Sequence, residues 1–238
     1  MVQLSERLGA VASLVTVTGI LADVGTDHGY IPVFLAGQKR IQKAIAMDVN
    51  QGPLERAEEH IRQYGLEEQI ETRLSDGLAA LTPGEVNGIV IAGMGGNLMQ
   101  RILMQGQEVA HTVEELVLQP QSELMEFRRF LSRSGYVITA EDMVFEDGKY
   151  YPMMRAVYRN GREEEPDILA LKYGGKLLEQ KHPVLHQYLN WQKYQKEQIL
   201  EKMKQNAKQD VSRRMQELAQ ELAYITQALE MINGADEI

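Results

Sequence analysis

The regular alternation of short apolar strands with helical patterns is the feature that most limits what this chain can fold into. Five runs rich in Val, Ile, Leu and Ala have the length of buried strands. They cover 20–24, 43–48, 71–74, 88–92 and 116–119. Helical patterns separate them, among them 53–64, which has Pro53 in its first turn and Gly65 just after its end. Strands that alternate with helices predict an α/β fold with a parallel sheet and right-handed crossovers.

Three further segments complete this first region. A helix over 5–15 is predicted before the first strand, with Ser5 as its N-cap. Another is predicted over 122–134, with Ser122 as N-cap and Gly135 as its stop. The stretch 136–158 then breaks the alternation and indicates two strands joined by an Asp-Gly turn, which is typical of a hairpin. We therefore expect an antiparallel strand pair to close the sheet, an ending that nucleotide-binding oxidoreductases do not usually have.

The chain changes character near Gly161, where the strand signal ends and Lys, Glu, Gln and Leu become frequent. We expect a first domain over 1–160 and a helical second domain over 161–238. Pro183 can begin a helix whose apolar stripe is Leu185, Leu189, Ile199 and Met203. After the polar stretch 206–210, a second helix carries a heptad seam, made of Met215, Leu218, Leu222, Ile225, Leu229 and Ile232.

These two helices are predicted to fold back as an antiparallel coiled coil, although one continuous helix is an alternative. The seam can be buried within one chain or between two chains, so a monomer and a homodimer both remain open.

Composition excludes several classes of protein. The chain has no cysteine, which rules out a disulfide framework, a thiolate nucleophile and a Cys-ligated zinc ion. It has neither a basic, apolar leader nor the roughly 18 consecutive apolar residues that a membrane helix needs. A cytoplasmic protein without membrane or metal partners is therefore expected. The net charge of -9 argues against a non-specific nucleic-acid binder, which usually carries a basic balance.

The loop after the first strand is the central candidate site. It reads Asp23-Val-Gly25-Thr-Asp27-His28-Gly29-Tyr30, which is not the dinucleotide fingerprint G-x-G-x-x-G. Glycines at the end of a first strand let the backbone approach a ligand, and Asp23 is placed to hold a cationic group. A tight strand-to-helix turn without any ligand is the alternative interpretation.

The next strands also end in residues suited to a nucleoside. Asp48 ends the second strand, where a carboxylate can accept hydrogen bonds from both ribose hydroxyls. Asp76 follows the third strand and can accept from an adenine amino group, and the glycine-rich run 93–96 follows the fourth. No phosphate-binding P-loop occurs in the sequence. The pattern favours an adenosine ligand without phosphates, whereas each Asp alone can be a simple helix cap.

These segments together resemble class I S-adenosylmethionine-dependent methyltransferases. The resemblance is closest to the bacterial tRNA (adenine-N1)-methyltransferases and extends over essentially the whole chain. Its most specific parts are Thr26-Asp27-His28-Gly29-Tyr30 and Ala92-Gly93-Met94-Gly95-Gly96. It implies a Rossmann-like domain, a coiled-coil domain that binds tRNA, and methyl transfer to N1 of the adenine at position 22 of certain tRNAs.

The resemblance also assigns residues to roles. The residues that it implies for S-adenosyl-L-methionine are Arg7, Asp23, Gly25, His28, Gly29, Tyr30, Asp48, Asn50, Asp76, Gly77, Gly93, Met94 and Gly95. Asp27 is the first candidate for stabilising the cationic product base or accepting its proton, and His28 is the second. Tyr30 is a candidate for stacking on the target base. The candidate tRNA contacts are Lys39 and Arg40, expected near the cofactor edge, and Arg128 and Arg129 on one helix.

Two other functions fit the same sequence. The enzyme could methylate another RNA or a small molecule, although an exposed helical arm suits a small acceptor poorly. Alternatively, the chain could be a scaffold that binds S-adenosylmethionine and recruits a partner protein through its coiled coil.

Overall fold

The structure is a computed structural model that describes residues 2–161, 165–205 and 212–234. The chain divides into two compact units, Met1–Pro166 and Asp167–Ile238. The sequence analysis placed the domain boundary six residues earlier, between residues 160 and 161. Each unit is described by itself below.

The first unit is built on one seven-stranded sheet. Its strands are β1 (Ile20–Val24), β2 (Lys43–Asp48), β3 (Ile70–Leu74), β4 (Gly88–Met94), β5 (Glu115–Pro120), β6 (Tyr136–Glu146) and β7 (Lys149–Tyr158). Its helices are α1 (Glu6–Leu14), α2 (Tyr30–Gly37), α3 (Gln51–Tyr64), α4 (Gly96–Gln105), α5 (Gln107–Ala110) and α6 (Leu124–Arg133). The strand order is β3-β2-β1-β4-β5-β7-β6. The first five strands are parallel, and β7 lies antiparallel between β5 and β6.

The predicted parallel sheet and its closing hairpin are confirmed. The strands β1 and β2 have the bounds expected from the sequence, and β3, β4 and β5 are one or two residues longer. The hairpin turns at Asp147 and Gly148, which have φ angles of 49° and 76°. Two consecutive positive φ angles are what a two-residue hairpin turn with the right twist requires.

Of the two N-cap residues predicted from the sequence, one is confirmed and one is wrong. The side chain of Ser5 accepts a hydrogen bond from the amide of Leu8 at 3.3 Å, so the predicted cap of α1 is confirmed. The predicted cap of α6 is wrong, because the N-cap residue is Glu123 in a left-handed conformation with φ of 52°. The Ser122 hydroxyl donates instead to the Glu123 carboxylate. The loop therefore turns sharply before α6 begins.

Two apolar layers cover the two faces of the sheet. On one face, Leu103 of α4 and Phe127 and Leu131 of α6 are buried against β4 and β5. On the other face, α1, α2 and α3 contribute residues such as Val11, Leu35 and Ile61. Because both faces are covered, the edge at the carboxyl ends of the parallel strands is where a ligand can reach the backbone.

The second unit consists of helices in its described part. They are α7 (Ile168–Tyr173), α8 (Gly175–Glu179), α9 (Pro183–Gln205) and α10 (Ser212–Asn233). The sequence predicted that α9 begins at Pro183, and it missed the two short helices before it. The side chain of Asp167 caps α7 by accepting from the amide of Ala170 at 2.8 Å. The predicted break at 206–210 lies outside the described residues.

The helices α9 and α10 pack on each other as an antiparallel pair. Lys196 of α9 forms an ion pair with Glu221 of α10, and the two residues are equally far from the connection between the helices. The predicted seam of α10 faces inward, since Leu218, Ile225, Leu229 and Ile232 are buried.

The predicted stripe of α9 is correct at Leu185 and Leu189, which are buried, and wrong at Ile199, which is 45% exposed. Leu200 is half-buried in its place. Among the described residues, no helix is both long enough and apolar enough to cross a membrane.

Candidate active site

A cleft of about 340 Å³ opens at the carboxyl edge of the sheet. Four segments line it, and they come from distant parts of the sequence. These are Arg7 and Leu8 of α1, residues between 23 and 31 at the end of β1 and the start of α2, Ala92 and Gly93 near the end of β4, and Gln121 after β5. The cleft lies between β1 and β4, which are neighbours in the sheet. From β1 the chain continues to β2 on one side, and from β4 it continues to β5 on the other, which is the usual ligand position in an open α/β sheet.

Two glycines keep the floor of this cleft open. Gly25 has a φ of +76°, and a Cβ atom there would lie 2.0 Å from the Cε of Met94. Gly93 has a φ of +83°, and a Cβ there would lie 3.8 Å from Nη1 of Arg7. An L side chain rarely adopts such backbone angles, and at Gly25 it would also displace Met94. These two positions therefore need glycine for the geometry of the site.

Asp23 supplies a buried carboxyl to the cleft. The residue is only 6% exposed, and this burial is the main reason that the pKa of its carboxyl rises from 3.8 to about 6. The charge of Asp48 also raises the pKa, whereas the nearby Thr26 hydroxyl lowers it. The hydroxyl of Thr26 is buried without a hydrogen bond of normal geometry. A buried carboxylate in a cleft is a group that a cationic, hydrogen-bonding ligand would satisfy.

Arg7 forms the opposite wall and is held from three directions. Its Nη1 donates to Oε1 of Gln119 at 3.0 Å, and its amide donates to Oε1 of Glu146 at 3.3 Å. Its guanidinium also lies over the ring of Tyr151, 5.6 Å from the centroid. These contacts fix a cation at the rim of the cleft, where it can pair with a carboxylate of a ligand. Sequence reasoning proposed Arg7 but missed the residues that hold it, because they come from β5, β6 and β7.

The acidic residues after β2 and β3 lie along the same edge, outside the lining of the cleft. The half-buried Asp48 accepts the amide of Asn50 at 2.8 Å, and Asn50 precedes the first turn of α3. Asp76 is exposed beside Gly77, whose φ is +59°. Because β2 lies beside β1 and β3 beside β2, Asp23, Asp48 and Asp76 form a row along the carboxyl edge of the sheet. Their roles toward a ligand stay predictions.

The loop 26–30 carries the predicted catalytic residues. The carboxylate of Asp27 lines the cleft, is 64% exposed, and accepts two hydrogen bonds from Arg56 of α3 at 2.8 and 3.1 Å. The ring of His28 stacks on that of Tyr30, with centroids 5.3 Å apart. Tyr30 lines the cleft and His28 does not. Sequence reasoning missed Arg56, because a charged residue on an amphipathic helix looks like an ordinary surface charge.

The predicted position of Lys39 and Arg40 near the cofactor edge is wrong. Helix α2 runs back from the cleft, so these residues lie at the amino edge of the sheet, where the amide of Gln42 bonds the carbonyl of Thr18 just before β1. Lys39 is exposed there. Arg40 donates to the carbonyl of Val15 at 2.8 Å, which closes the end of α1.

The two arginines predicted on α6 are also committed to internal contacts. Arg128 is 3% exposed and pairs with the fully buried Glu141 at 2.9 Å, so the structure contradicts a tRNA contact by this side chain. Arg129 bonds Glu126 and Glu165, and together with Arg133 it lowers the pKa of the Glu165 carboxyl. Within the described part of the chain, no group of three or more His, Asp or Glu residues is arranged to hold a metal ion.

The fold and the cleft together define a class of protein. A parallel sheet that ends with an antiparallel strand inserted beside β5, with acidic residues after its first three strands, is the arrangement of a Rossmann-like methyltransferase domain. The sequence model of the methyltransferase domain family matches residues 4–154.

Relatives identify the family more closely. A tRNA (adenine(22)-N(1))-methyltransferase of Bacillus subtilis is 35% identical over 154 residues, which are 65% of this chain and 65% of that protein. A Streptococcus pneumoniae protein assigned as a tRNA (m1A22) methyltransferase was solved with S-adenosyl-L-methionine. It is 34% identical, with a TM-score of 0.84 over 95% of this chain and all of that one. TrmK of M. capricolum, solved with S-adenosyl-homocysteine, is 25% identical, with a TM-score of 0.81 over 96% of this chain and 99% of that one. The chain belongs to the TrmK family of tRNA methyltransferases.

Proposed function

We propose that this protein transfers a methyl group from S-adenosyl-L-methionine to N1 of the adenine at position 22 of tRNA. The observation that carries the proposal is the cleft at the end of β1, where Asp23 and Arg7 present opposite charges across two glycines. A methionine moiety carries one ammonium and one carboxylate group, which matches that charge pattern. The family relationship supplies the acceptor, since the Bacillus subtilis relative named above is a tRNA (adenine(22)-N(1))-methyltransferase.

We propose that the cofactor lies in the cleft and extends along the sheet edge toward β2 and β3. Asp23 would bind the ammonium group, and Arg7 the carboxylate. Asp48 would accept from the ribose hydroxyls, and Asp76 with Gly77 would frame the adenine. Asn50, Gly93, Met94 and Gly95 would complete the surroundings of the ribose and the sulfonium group. When bound, S-adenosyl-L-methionine supplies an electrophilic methyl group next to a good leaving group.

The chain then needs to orient the acceptor rather than activate it. Adenine N1 has a free electron pair at neutral pH, so alignment with the methyl group supplies much of the rate. Methylation gives the base a positive charge, which the carboxylate of Asp27 would stabilise or relieve by accepting a proton from the exocyclic amino group. Tyr30, on the cleft wall, is suited to pack on the target base, and His28 supports it through ring stacking.

The second unit completes the proposal as the tRNA-binding part. We infer that α9 and α10 form an antiparallel coiled coil, which the inward seam of α10 and the Lys196–Glu221 pair support. Its outer face carries cations such as Arg213, whose side chain is 94% exposed and pairs with Glu217 of the same helix at 3.3 Å. The proposal also includes a cytoplasmic location, where tRNA is modified.

The test is a methyl-transfer assay with labelled S-adenosyl-L-methionine and an unmodified tRNA transcript, followed by nucleoside analysis. We expect 1-methyladenosine from a transcript with A22 and none from an otherwise identical transcript with G22. Asp23→Asn should weaken cofactor binding and lower transfer with it, whereas Asp27→Asn should lower transfer and leave cofactor binding unchanged. Binding of the cofactor without transfer to any tRNA would contradict the proposal and favour a protein or small-molecule acceptor.

A further inference from the structure

One face of α3 is turned toward the catalytic loop. Arg56, His60 and Tyr64 are spaced four residues apart, so they lie on the same side of the helix. All three reach loop 26–30 or each other through polar or ring contacts. Between them, Ala57 packs below Gly29, where an added Cβ would lie 3.4 Å from the Ala57 Cβ. This face of α3 therefore packs against loop 26–30 and stabilises it.

Arg56 holds Asp27 in an asymmetric way. Its Nε and Nη2 both donate to the same oxygen, Oδ1, at 3.1 and 2.8 Å. No hydrogen bond is made to Oδ2 by any residue that the structure describes. The ion pair consequently fixes the carboxylate while one of its oxygens stays available to a group in the cleft, which Asp27 lines.

His60 holds the backbone of the next residue. Its Nδ1 lies 2.8 Å from the carbonyl oxygen of His28, and because a carbonyl only accepts, Nδ1 carries the hydrogen. His28 has a φ of 61°, a left-handed conformation that is unfavourable for a residue with a side chain. The hydrogen bond stabilises this conformation. The ring of His60 also contacts Tyr30 edge to face at 5.1 Å, so it supports the ring that lines the cleft.

We propose that Arg56 and His60 are positioning residues that hold loop 26–30 so that Asp27 presents its free oxygen to the target base. The inference rests on the proposed methyl transfer and adds two residues that act through the loop. They do not touch the cofactor: neither lines the cleft that holds Asp23 and Arg7. Their loss should therefore lower the rate of transfer and leave cofactor affinity unchanged.

A competing explanation is that Arg56 simply attracts tRNA as a surface cation. The same helix provides a matched control, because Arg62 is exposed on a different face and makes no ion pair among the described residues. Replacing either arginine with Gln removes one positive charge from α3. A purely electrostatic role predicts that both variants raise the KM for tRNA alike and leave kcat unchanged.

Steady-state methylation of an A22 transcript separates these explanations. We expect Arg56→Gln to lower kcat by about 10- to 100-fold, since small misplacement of an acting group is that costly. Arg62→Gln should stay within about twofold of the unchanged protein, and calorimetry should give the same Kd for S-adenosyl-L-methionine in all three proteins. In the double variant Asp27→Asn/Arg56→Gln, the second change should add less than about threefold, because both act through one carboxylate. Equal effects of the two arginines, or additive losses in the double variant, would overturn the role of Arg56.

His60 is tested by a pair of substitutions. His60→Asn keeps an N–H near the position of Nδ1, whereas His60→Leu removes it. The Asn variant should recover at least about a third of kcat, and the Leu variant should lose about 10-fold with unchanged cofactor Kd. Equal kcat in both variants would refute the role of the hydrogen bond. If the unchanged protein transfers no methyl group to tRNA, the proposed function fails, and this inference loses its basis with it.

Discussion

Replacing Asp23 with Asn is expected to make the ligand-free protein more stable and its cofactor binding weaker. Burial raises the pKa of this carboxyl from 3.8 to about 6, a change that corresponds to about 3 kcal/mol. Between these two values the folded protein keeps a proton that the unfolded chain has lost. The free energy of unfolding therefore falls as pH rises through this window, and the whole amount is lost above about pH 6. An Asn side chain stays neutral and avoids that cost.

The expected difference follows directly. At pH 7.5 the free energy of unfolding of the Asp23→Asn variant should exceed that of the unchanged protein by up to about 3 kcal/mol. The two free energies should converge as the pH approaches 4. Affinity for S-adenosyl-L-methionine should fall about 10-fold or more, because a charge-assisted hydrogen bond to the ammonium group is lost. The control is Asp147→Asn, an exposed turn residue with φ of 49° where Asn is equally suitable.

Urea unfolding of the ligand-free protein, followed by circular dichroism at several pH values, measures the first effect. Fluorescence would report the wrong unit, because the single tryptophan of the chain, Trp191, lies in α9. Calorimetry at the same pH values measures the second effect. A stability difference below about 1 kcal/mol at pH 7.5, or one that does not shrink toward acid, would refute the reasoning about a buried ionised carboxylate.

Other substitutions test the remaining structural conclusions. Gly25→Ala should cost about 1–2 kcal/mol from its left-handed backbone and should abolish cofactor binding in calorimetry, since its Cβ enters the cleft. Arg128→Met should lower the free energy of unfolding by about 3–5 kcal/mol, because it leaves the buried carboxylate of Glu141 without its cationic partner. Adding Glu141→Leu removes that buried charge and should restore most of the lost stability. In the second unit, Leu189→Ala should cost about 2–5 kcal/mol in urea unfolding read by tryptophan fluorescence, whereas Ile199→Ala should change it by less than about 0.5 kcal/mol.

The sequence was most informative where a local signal sets the structure. Strand length, the Asp-Gly turn at 147–148 and the proline at 183 predicted the sheet, the hairpin and the start of α9 correctly. Each of these depends on backbone preferences within a few residues. The same reasoning failed at Ser122, because a serine before a helical pattern does not reveal that Glu123 takes the left-handed conformation instead.

The candidate site was predictable in part for the same reason. Asp23 lies at the end of β1, and Gly25 and Asp27 follow it, so their position at the carboxyl edge could be inferred from the alternation of strands and helices. Contacts between distant segments could not, since nothing local links Arg56 to Asp27 or Arg128 to Glu141. The misplacement of Lys39 and Arg40 has another cause: a helix of eight residues carries the chain to the far edge of the sheet.

The insertion of β7 between β5 and β6 has a consequence for the order of events during synthesis. Arg7 is made before the whole sheet, yet its contacts with Glu146 and Tyr151 need the hairpin, which is made more than a hundred residues later. The nascent chain can form β1 to β5 and their helices in sequence order, but its cofactor cleft lacks one supported wall until β7 has emerged and paired with β5. Ligand competence is therefore the last property that the first unit acquires, after most of its hydrophobic core is already in place.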